Sequence, residues 1–315
     1  MALKVLVTGA TGFVGRHLWR YILDEGLNPY GTCFPDTPSP GDKQLFHLDL
    51  RFGAAVDGLV ERVRPDWVIH LAAVSNVRKS WDNRQETLET NLVGTSNLFE
   101  AVRRYAPSAR LLFISSSDVY GVLEGGEKRF REEDPFQAVN PYAYTKIAGE
   151  LLGRFYVQVE KLDIVLARPF PHTGPGQSPD FVFSDWASQI VRIEKGGAEP
   201  VIRVGNLEVR RDYSDVRDIV RAYVLLMRKG RGGEVYNVGS GRTVSLAKIL
   251  ETLLSFSKRT IDVRQDSAKL RKTDIPFLAG DVSKIFREMG WTASIPLDKT
   301  LRDLVEFWRA EPPRP

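Results

Sequence analysis

The segment Val5-Leu-Val-Thr-Gly9-Ala-Thr-Gly12-Phe-Val-Gly15 limits the possible folds of this chain more than any other. An unbroken apolar run meets three evenly spaced glycines and then a helical pattern. A strand with no polar alternation is buried on both faces, which a parallel sheet sandwiched by helices provides. Gly9 allows a tight turn out of the strand. Gly12 lets backbone approach a pyrophosphate, and Gly15 lets the following helix pack close to the strand. The N–H groups at the start of that helix attract phosphate. With Thr8 and Thr11 alongside, the segment predicts a dinucleotide-binding turn built from Gly9, Thr11, Gly12, Phe13, Val14 and Gly15.

The same grammar recurs along the chain. Short apolar runs at residues 3–7, 45–48, 67–71, 111–114, 164–167 and 235–238 alternate with amphipathic stretches at 13–25, 85–105, 142–159 and 216–227. Alternating strands and helices predict an α/β fold, a doubly wound parallel sheet of the Rossmann kind. After Arg168 the pattern loosens into a loop punctuated by Pro171, Gly174, Pro175, Gly176 and Pro179. Residues 201–209, centred on Gly205-Asn206, have the composition of a small hairpin. The last third mixes helices and short strands, which predicts a smaller C-terminal α/β substrate lobe over the carboxyl edge of the sheet. The expected division is 1–168, rejoined by about 214–240, for the dinucleotide domain, with 169–213 and 241–315 forming the lobe.

Bulk properties narrow the partners. The 315 residues carry a net charge of +4, from 44 basic and 40 acidic side chains, with no Lys/Arg run long enough for a nucleic-acid patch. A mildly basic cleft for a phosphorylated small molecule uses the surplus better. Cys33 is the single cysteine, which excludes an intrachain disulfide and fits a reducing compartment. Met1-Ala-Leu-Lys runs straight into a strand, so a cytoplasmic protein without a signal peptide or membrane span is expected. His17, His47, His70 and His172 are scattered without metal-ligand spacing, so no metal is expected.

The chemistry lies downstream. Leu111-Leu-Phe-Ile-Ser115-Ser116-Ser117-Asp118-Val-Tyr120-Gly121 is a buried strand ending in hydroxyls. Asn140-Pro-Tyr142-Ala-Tyr144-Thr-Lys146 then opens a helix. Spacing of four puts Tyr142 and Lys146 on one face. A phenol with an ordinary pKa near 10 is a poor acid at neutral pH. A nearby ammonium and a positive nicotinamide ring would lower that value. Ser116 would hold the substrate oxygen against Tyr142, which donates the proton during ketone reduction. Tyr144 does not compete, because Ala148 stands four residues beyond it.

Asp49 and Leu50, after the third apolar strand, are expected beside the adenine, and Leu71, Ala72 and Ala73 beside the rest of the cofactor. His172 could border the nicotinamide. The second strand, 29–33, is followed by Phe34-Pro35-Asp36, with neither a well-placed acid nor an arginine. NADP and NAD therefore both stand as cofactors.

At this point the chain resembles the extended short-chain dehydrogenases/reductases of the nucleotide-sugar branch over nearly its whole length. Within that branch it is most similar to GDP-6-deoxy-4-keto-D-mannose reductases, which form GDP-D-rhamnose. The resemblance rests on Ser116-Ser-Asp-Val-Tyr-Gly121, Ala167-Arg-Pro-Phe-Pro-His-Thr-Gly-Pro-Gly-Gln177 and Arg211-Asp-Tyr-Ser-Asp-Val-Arg-Asp218. Phe181-Val, Asp185 and Val74-Ser-Asn-Val-Arg-Lys-Ser-Trp81 add to it. It implies a GDP-linked deoxyhexose substrate, with Arg211 and Arg271 on the diphosphate, Asp274 on the nucleotide ribose and Asn206 lining the nucleotide. Ser117, Asp118 and Ser75, preferred to Ser80, would meet the hexose. It further implies a homodimer through the helices at 85–105 and 142–159.

Two departures bear on the reaction. The related GDP-mannose 4,6-dehydratases carry a glutamate where Asp118 stands, and that glutamate removes the C5 proton. An aspartate falls roughly 1.5 Å short of it, and misplacement near 1 Å costs about 100-fold in rate. Ketone reduction needs no such base, so a reductase is expected. A 4,6-dehydratase or C4 epimerase is the first alternative, and a non-catalytic nucleotide sensor the second. Pro171 stands where the family usually has a substrate-binding Asn, which bears on sugar specificity.

Overall fold

Glycine turns and buried apolar runs organise the structure, a computed structural model that describes residues 2–35, 43–122, 127–269 and 275–311. The first half comprises β1 (Lys4–Thr8), α1 (Phe13–Asp24), β2 (Asn28–Cys33), β3 (Leu45–His47), α2 (Gly53–Val63), β4 (Trp67–His70), α3 (Val77–Asp82), α4 (Arg84–Leu88), α5 (Gly94–Tyr105), β5 (Arg110–Ile114) and α6 (Pro141–Gln158). There follow β6 (Asp163–Pro169), β7 (His172–Thr173), α7 (Val182–Glu194), β8 (Val201–Val204), β9 (Arg210–Asp212), β10 (Ser214–Asp215), α8 (Val216–Lys229) and β11 (Val235–Val238). The chain then forms β12 (Thr243–Ser245), α9 (Leu246–Ser255), β13 (Asp262–Gln265), β14 (Phe277–Leu278), α10 (Ser283–Met289) and α11 (Leu297–Ala310).

Seven parallel strands lie in the order β11-β6-β5-β4-β1-β2-β3. The chain runs outward from β1 to β3, then returns to β4 on the other side of β1. The carboxyl ends of β1 and β4 are therefore the switch point at which open α/β sheets bind ligands. In β1, Val5 and Val7 belong to one core with α1 and α8, whereas Leu6 belongs to the other with α2 and α5. Burial on both faces is why the strands read as unbroken apolar runs.

A separate apolar cluster joins α7, β8, α9 and α11 through Phe183, Ile190, Ile202, Leu250 and Leu304. Strand β9 pairs antiparallel with β12 and parallel with β14. The 201–209 hairpin does not form: β8 pairs with β13 instead of with β9. A tight two-residue hairpin needs left-handed backbone at its turn, and neither Gly205 nor Asn206 has a positive φ. Gly205 serves close approach, since a Cβ there would lie 2.5 Å from the carbonyl oxygen of Lys269.

The helix expected over 85–105 also differs. A π-helical turn, residues 89–93, sits between α4 and α5 and carries the buried Asn91 inward. Such bulges recur at functional sites, and this one lies against α6.

Candidate active site

Helix α6 is phased by its first residues. The Asn140 side chain accepts from the backbone N–H of Ala143 at 2.7 Å, and Pro141 occupies the first turn, both favoured at helix N-termini. Tyr142, Lys146 and Glu150 then share one face, one turn apart, against the end of β5. The Tyr142 phenol faces Ser116, whose hydroxyl acts to lower its pKa. Lys146 Nζ donates to the Ile114 carbonyl at 2.8 Å. Ser115 Oγ donates to Glu150 Oε1. Tyr144 points outward and is exposed.

Burial pulls Lys146 down to about 8, while the Glu150 carboxylate opposes that fall. Tyr142 departs from expectation. Burial and then the Asp118 carboxylate push its phenol well above the ordinary value, and the Ser116 hydroxyl only partly offsets them. Lys146 does not lower it, because its ammonium is turned to Ile114 and lies 5.8 Å from the tyrosine ring centre. The phenol is therefore held protonated, the form a proton donor needs. Ser117 is buried, and the Asp118 N–H donates to Ser116 Oγ at 3.1 Å, which orients that hydroxyl.

The glycine turn fits a pyrophosphate. Gly9 has φ +70°, and a Cβ there would press on Ala72 at 3.1 Å. A Cβ on Gly15 would stand 2.2 Å from the Gly9 carbonyl oxygen. Gly12 caps α1 without any side chain, and no acidic residue lies in the first turn, leaving N–H groups for phosphate oxygens. Thr11, Phe13 and Val14 are half-buried around this turn, as are Leu71, Ala72 and Ala73 across from it.

A chain of hydrogen bonds braces the turn. Thr95 Oγ1 donates to the Asn91 carbonyl, so it accepts from His70 Nε2 at 2.9 Å. His70 Nδ1 accepts from Thr8 Oγ1 at 2.7 Å, and Thr8 accepts from the Ala72 N–H at 3.1 Å. Burial drives His70 down to about 3, so it is neutral in this chain. Asn91 ties the segment after β4 to α6, accepting from Val74 N at 2.7 Å and donating to Thr145 Oγ1 at 3.0 Å.

Elsewhere the candidates fare variously. Asp49 is buried and clasped by Arg51, whose Nε and Nη2 reach it at 2.9 and 2.6 Å; this holds its carboxyl below the usual range. Leu50 is buried next to it. His172 lies parallel to the Phe13 ring, and its Nδ1 donates to the Phe170 carbonyl at 3.0 Å. Burial lowers its pKa, so the ring is neutral. Ser75 is exposed, whereas Ser80 is buried and donates to the Val77 carbonyl at 2.7 Å. Arg211 is half-buried and Asn206 Oδ1 accepts from Glu208 N at 3.0 Å. Arg271, Asp274 and Asp36 lie outside the described residues.

Sequence reasoning missed His70, Asn91, Glu150 and Arg168. Only Glu150 carried a usable signal, its spacing of four from Lys146. A polar residue on the apolar face of a helix, as Asn91 is, marks nothing by itself.

Geometry of this kind defines NAD(P)-dependent nucleotide-sugar enzymes of the extended short-chain dehydrogenase/reductase class. The chain belongs to the GDP-mannose 4,6 dehydratase family, whose model matches residues 6–304. It is 33% identical to the GDP-6-deoxy-D-mannose reductase of Pseudomonas aeruginosa over 310 residues, 98% of each chain. The solved structure of RMD from Pseudomonas aeruginosa complexed with NADPH has a TM-score of 0.88 at 32% identity, covering 98% of this chain and 99% of that one. The Thermus thermophilus UDP-glucose 4-epimerase complex with NAD has a TM-score of 0.88 at 28% identity, covering 98% and 99%.

Proposed function

We propose that this protein reduces the 4-keto group of GDP-4-keto-6-deoxy-D-mannose, giving GDP-D-rhamnose, with NADPH or NADH as reductant. The carrying observation is the half-buried phenol of Tyr142, facing Ser116, with its pKa raised and one helical turn from Lys146. When a reduced nicotinamide is bound, the chemistry it supplies is hydride donation to C4 of the sugar. Tyr142 gives its proton to the C4 oxygen, and Ser116 holds that oxygen in line. Lys146, charged below its pKa of about 8, stands one turn along the helix from Tyr142, where its ammonium would meet the ribose of the bound cofactor. A relative 33% identical over 98% of both chains is a reductase by name, and Asp118 is a short substitute for a dehydratase base.

The same reading assigns the cofactor to Gly9, Thr11, Gly12, Phe13, Val14, Gly15, Asp49, Leu50, Leu71, Ala72, Ala73 and His172. It assigns the GDP-hexose to Ser75, Ser117, Asp118, Asn206, Arg211, Arg271 and Asp274. The half-buried Arg211 guanidinium makes no ion pair among the described residues, which suits a diphosphate ligand. Residues 1–168 with 214–240 form the cofactor lobe, and 169–213 with 241–315 the sugar lobe. No helix among the described residues is long and apolar enough to cross a membrane, and we place the protein in the cytoplasm. Tyr144, Leu151 and Phe155 on α6 and Val159 just past its end are exposed, as are Leu88 at the end of α4 and Val93 in the π turn. This apolar face supports a homodimer built on these helices. Purified protein given the 4-keto sugar should oxidise NADPH or NADH and yield GDP-D-rhamnose. Sugar conversion without cofactor consumption would point to an epimerase or dehydratase.

A further inference from the structure

Two consecutive residues at the end of β5 are fastened to successive turns of α6, and the next, Ser116, faces Tyr142. Ile114 holds Lys146, and Ser115 holds Glu150. The tie through Ser115 involves a charged group with no role in the reaction as described. Glu150 and Arg168 are 0% and 1% exposed, and the guanidinium grips the carboxylate through Nε and Nη2, both at 2.8 Å. Arg168 Nη1 also donates to Tyr120 OH and to the Glu132 carbonyl, both at 2.9 Å, and Tyr120 OH donates to Asn237 Oδ1 at 2.6 Å. A buried ion pair is seldom more stabilising than well-packed apolar residues of the same volume, so stability alone is a weak reason for this one.

We propose that Glu150 is a positioning residue: its carboxylate sets the register of α6 against the end of β5 and supplies the buried negative charge that keeps Lys146 an ammonium. This rests on Tyr142 and Lys146 being the reacting pair. The charged and titratable groups around Lys146 are few. Glu150 and Tyr142 share its helix, with the Asp118 carboxylate acting on Tyr142. His70 on β4 is neutral, and Arg168 on β6 is turned to Glu150. Of the Glu150–Arg168 pair, it is the carboxylate that acts on Lys146. Through Ser115 the same carboxylate restrains the backbone of Ser116, and so the hydroxyl that must align the substrate oxygen. Through Arg168 it is anchored to β6 and to Tyr120, two residues past Asp118.

The test is kcat as a function of pH for wild type, Glu150→Gln and Glu150→Asp. Loss of the charge in Glu150→Gln should move the alkaline limb toward acid by about 1 pH unit, while Glu150→Asp, which keeps the charge, should leave the limb near its wild-type place. An unmoved limb in Glu150→Gln, with only a loss of thermal stability, would overturn the proposal. If Glu150→Gln does not fold, Ser115→Ala decides: it cuts the tether and keeps the charge. It should lower kcat roughly 10-fold with NADPH affinity unchanged, and wild-type kcat would overturn the proposal. Tyr142→Phe in the same assay separates the two claims. If it stays active, the assignment of the acid fails, whatever Glu150 does.

Discussion

Tyr142 donates its proton as a neutral phenol, and its surroundings arrange that neutrality. Replacing it by Phe should leave cofactor binding within a few-fold of wild type and lower kcat by about 1,000-fold, the scale of a lost general acid; fluorescence titration and steady-state rates check both. Lys146 offers a pH signature. Its pKa falls from 10.5 to about 8, so it is charged below that value and neutral above it. Activity should therefore decline as pH rises through about 8, and Lys146→Met should remove this limb along with most of the rate. At this scale the acid and its lysine were legible because helical spacing of four is readable in a bare sequence. The direction of the phenol's shift was not, since it depends on burial and on where the Lys146 ammonium points. Nor was the Arg51 clasp on Asp49, although the two are neighbours, because nothing in the sequence shows that they face each other.

The elements convert these side chains into a site. Gly15 lets α1 begin against the end of β1: an added methyl would collide with the Gly9 carbonyl at 2.2 Å. Gly15→Ala should abolish tight NADPH binding and lower the melting temperature, both measurable by calorimetry. His70 links β4 to β1 and α5 as a neutral ring. Its pKa falls from 6.5 unfolded to about 3 folded, so below pH 6.5 the unfolded chain binds a proton that the native one refuses. Its contribution is complete above pH 6.5 and is lost as pH falls toward 3, by about 1.4 kcal/mol per unit. Denaturant melts at pH 7, 6 and 5 should show a shallower acid loss in His70→Gln than in wild type. The strands of the large sheet were legible because burial on both faces leaves continuous apolar runs. The break in the 85–105 helix was not, because a π turn preserves amphipathicity while rotating Asn91 inward. The supposed hairpin at 201–209 failed because composition signals a turn but not which strand pairs with which.

At the scale of the molecule, strand order puts the switch point of β1 and β4 beside the end of β5, so the pyrophosphate turn and the Tyr142 phenol share one edge of the sheet. That edge was foreseeable from alternating strands and helices. The small sheets of the C-terminal third were less so, because short strands carry little periodicity. If the exposed face of α6 is a subunit seam, sedimentation in the micromolar range should give twice the chain mass, and Phe155→Glu with Leu151→Glu should give monomers.

The central claim concerns where two electrons and a proton go, and isotopes follow them directly. Protein incubated with GDP-4-keto-6-deoxy-D-mannose and NADPH deuterated at the transferred position should give GDP-D-rhamnose carrying one deuterium at C4, with one cofactor oxidised per sugar. A product without deuterium at C4, or a sugar transformed while the cofactor pool stays reduced, would contradict the account.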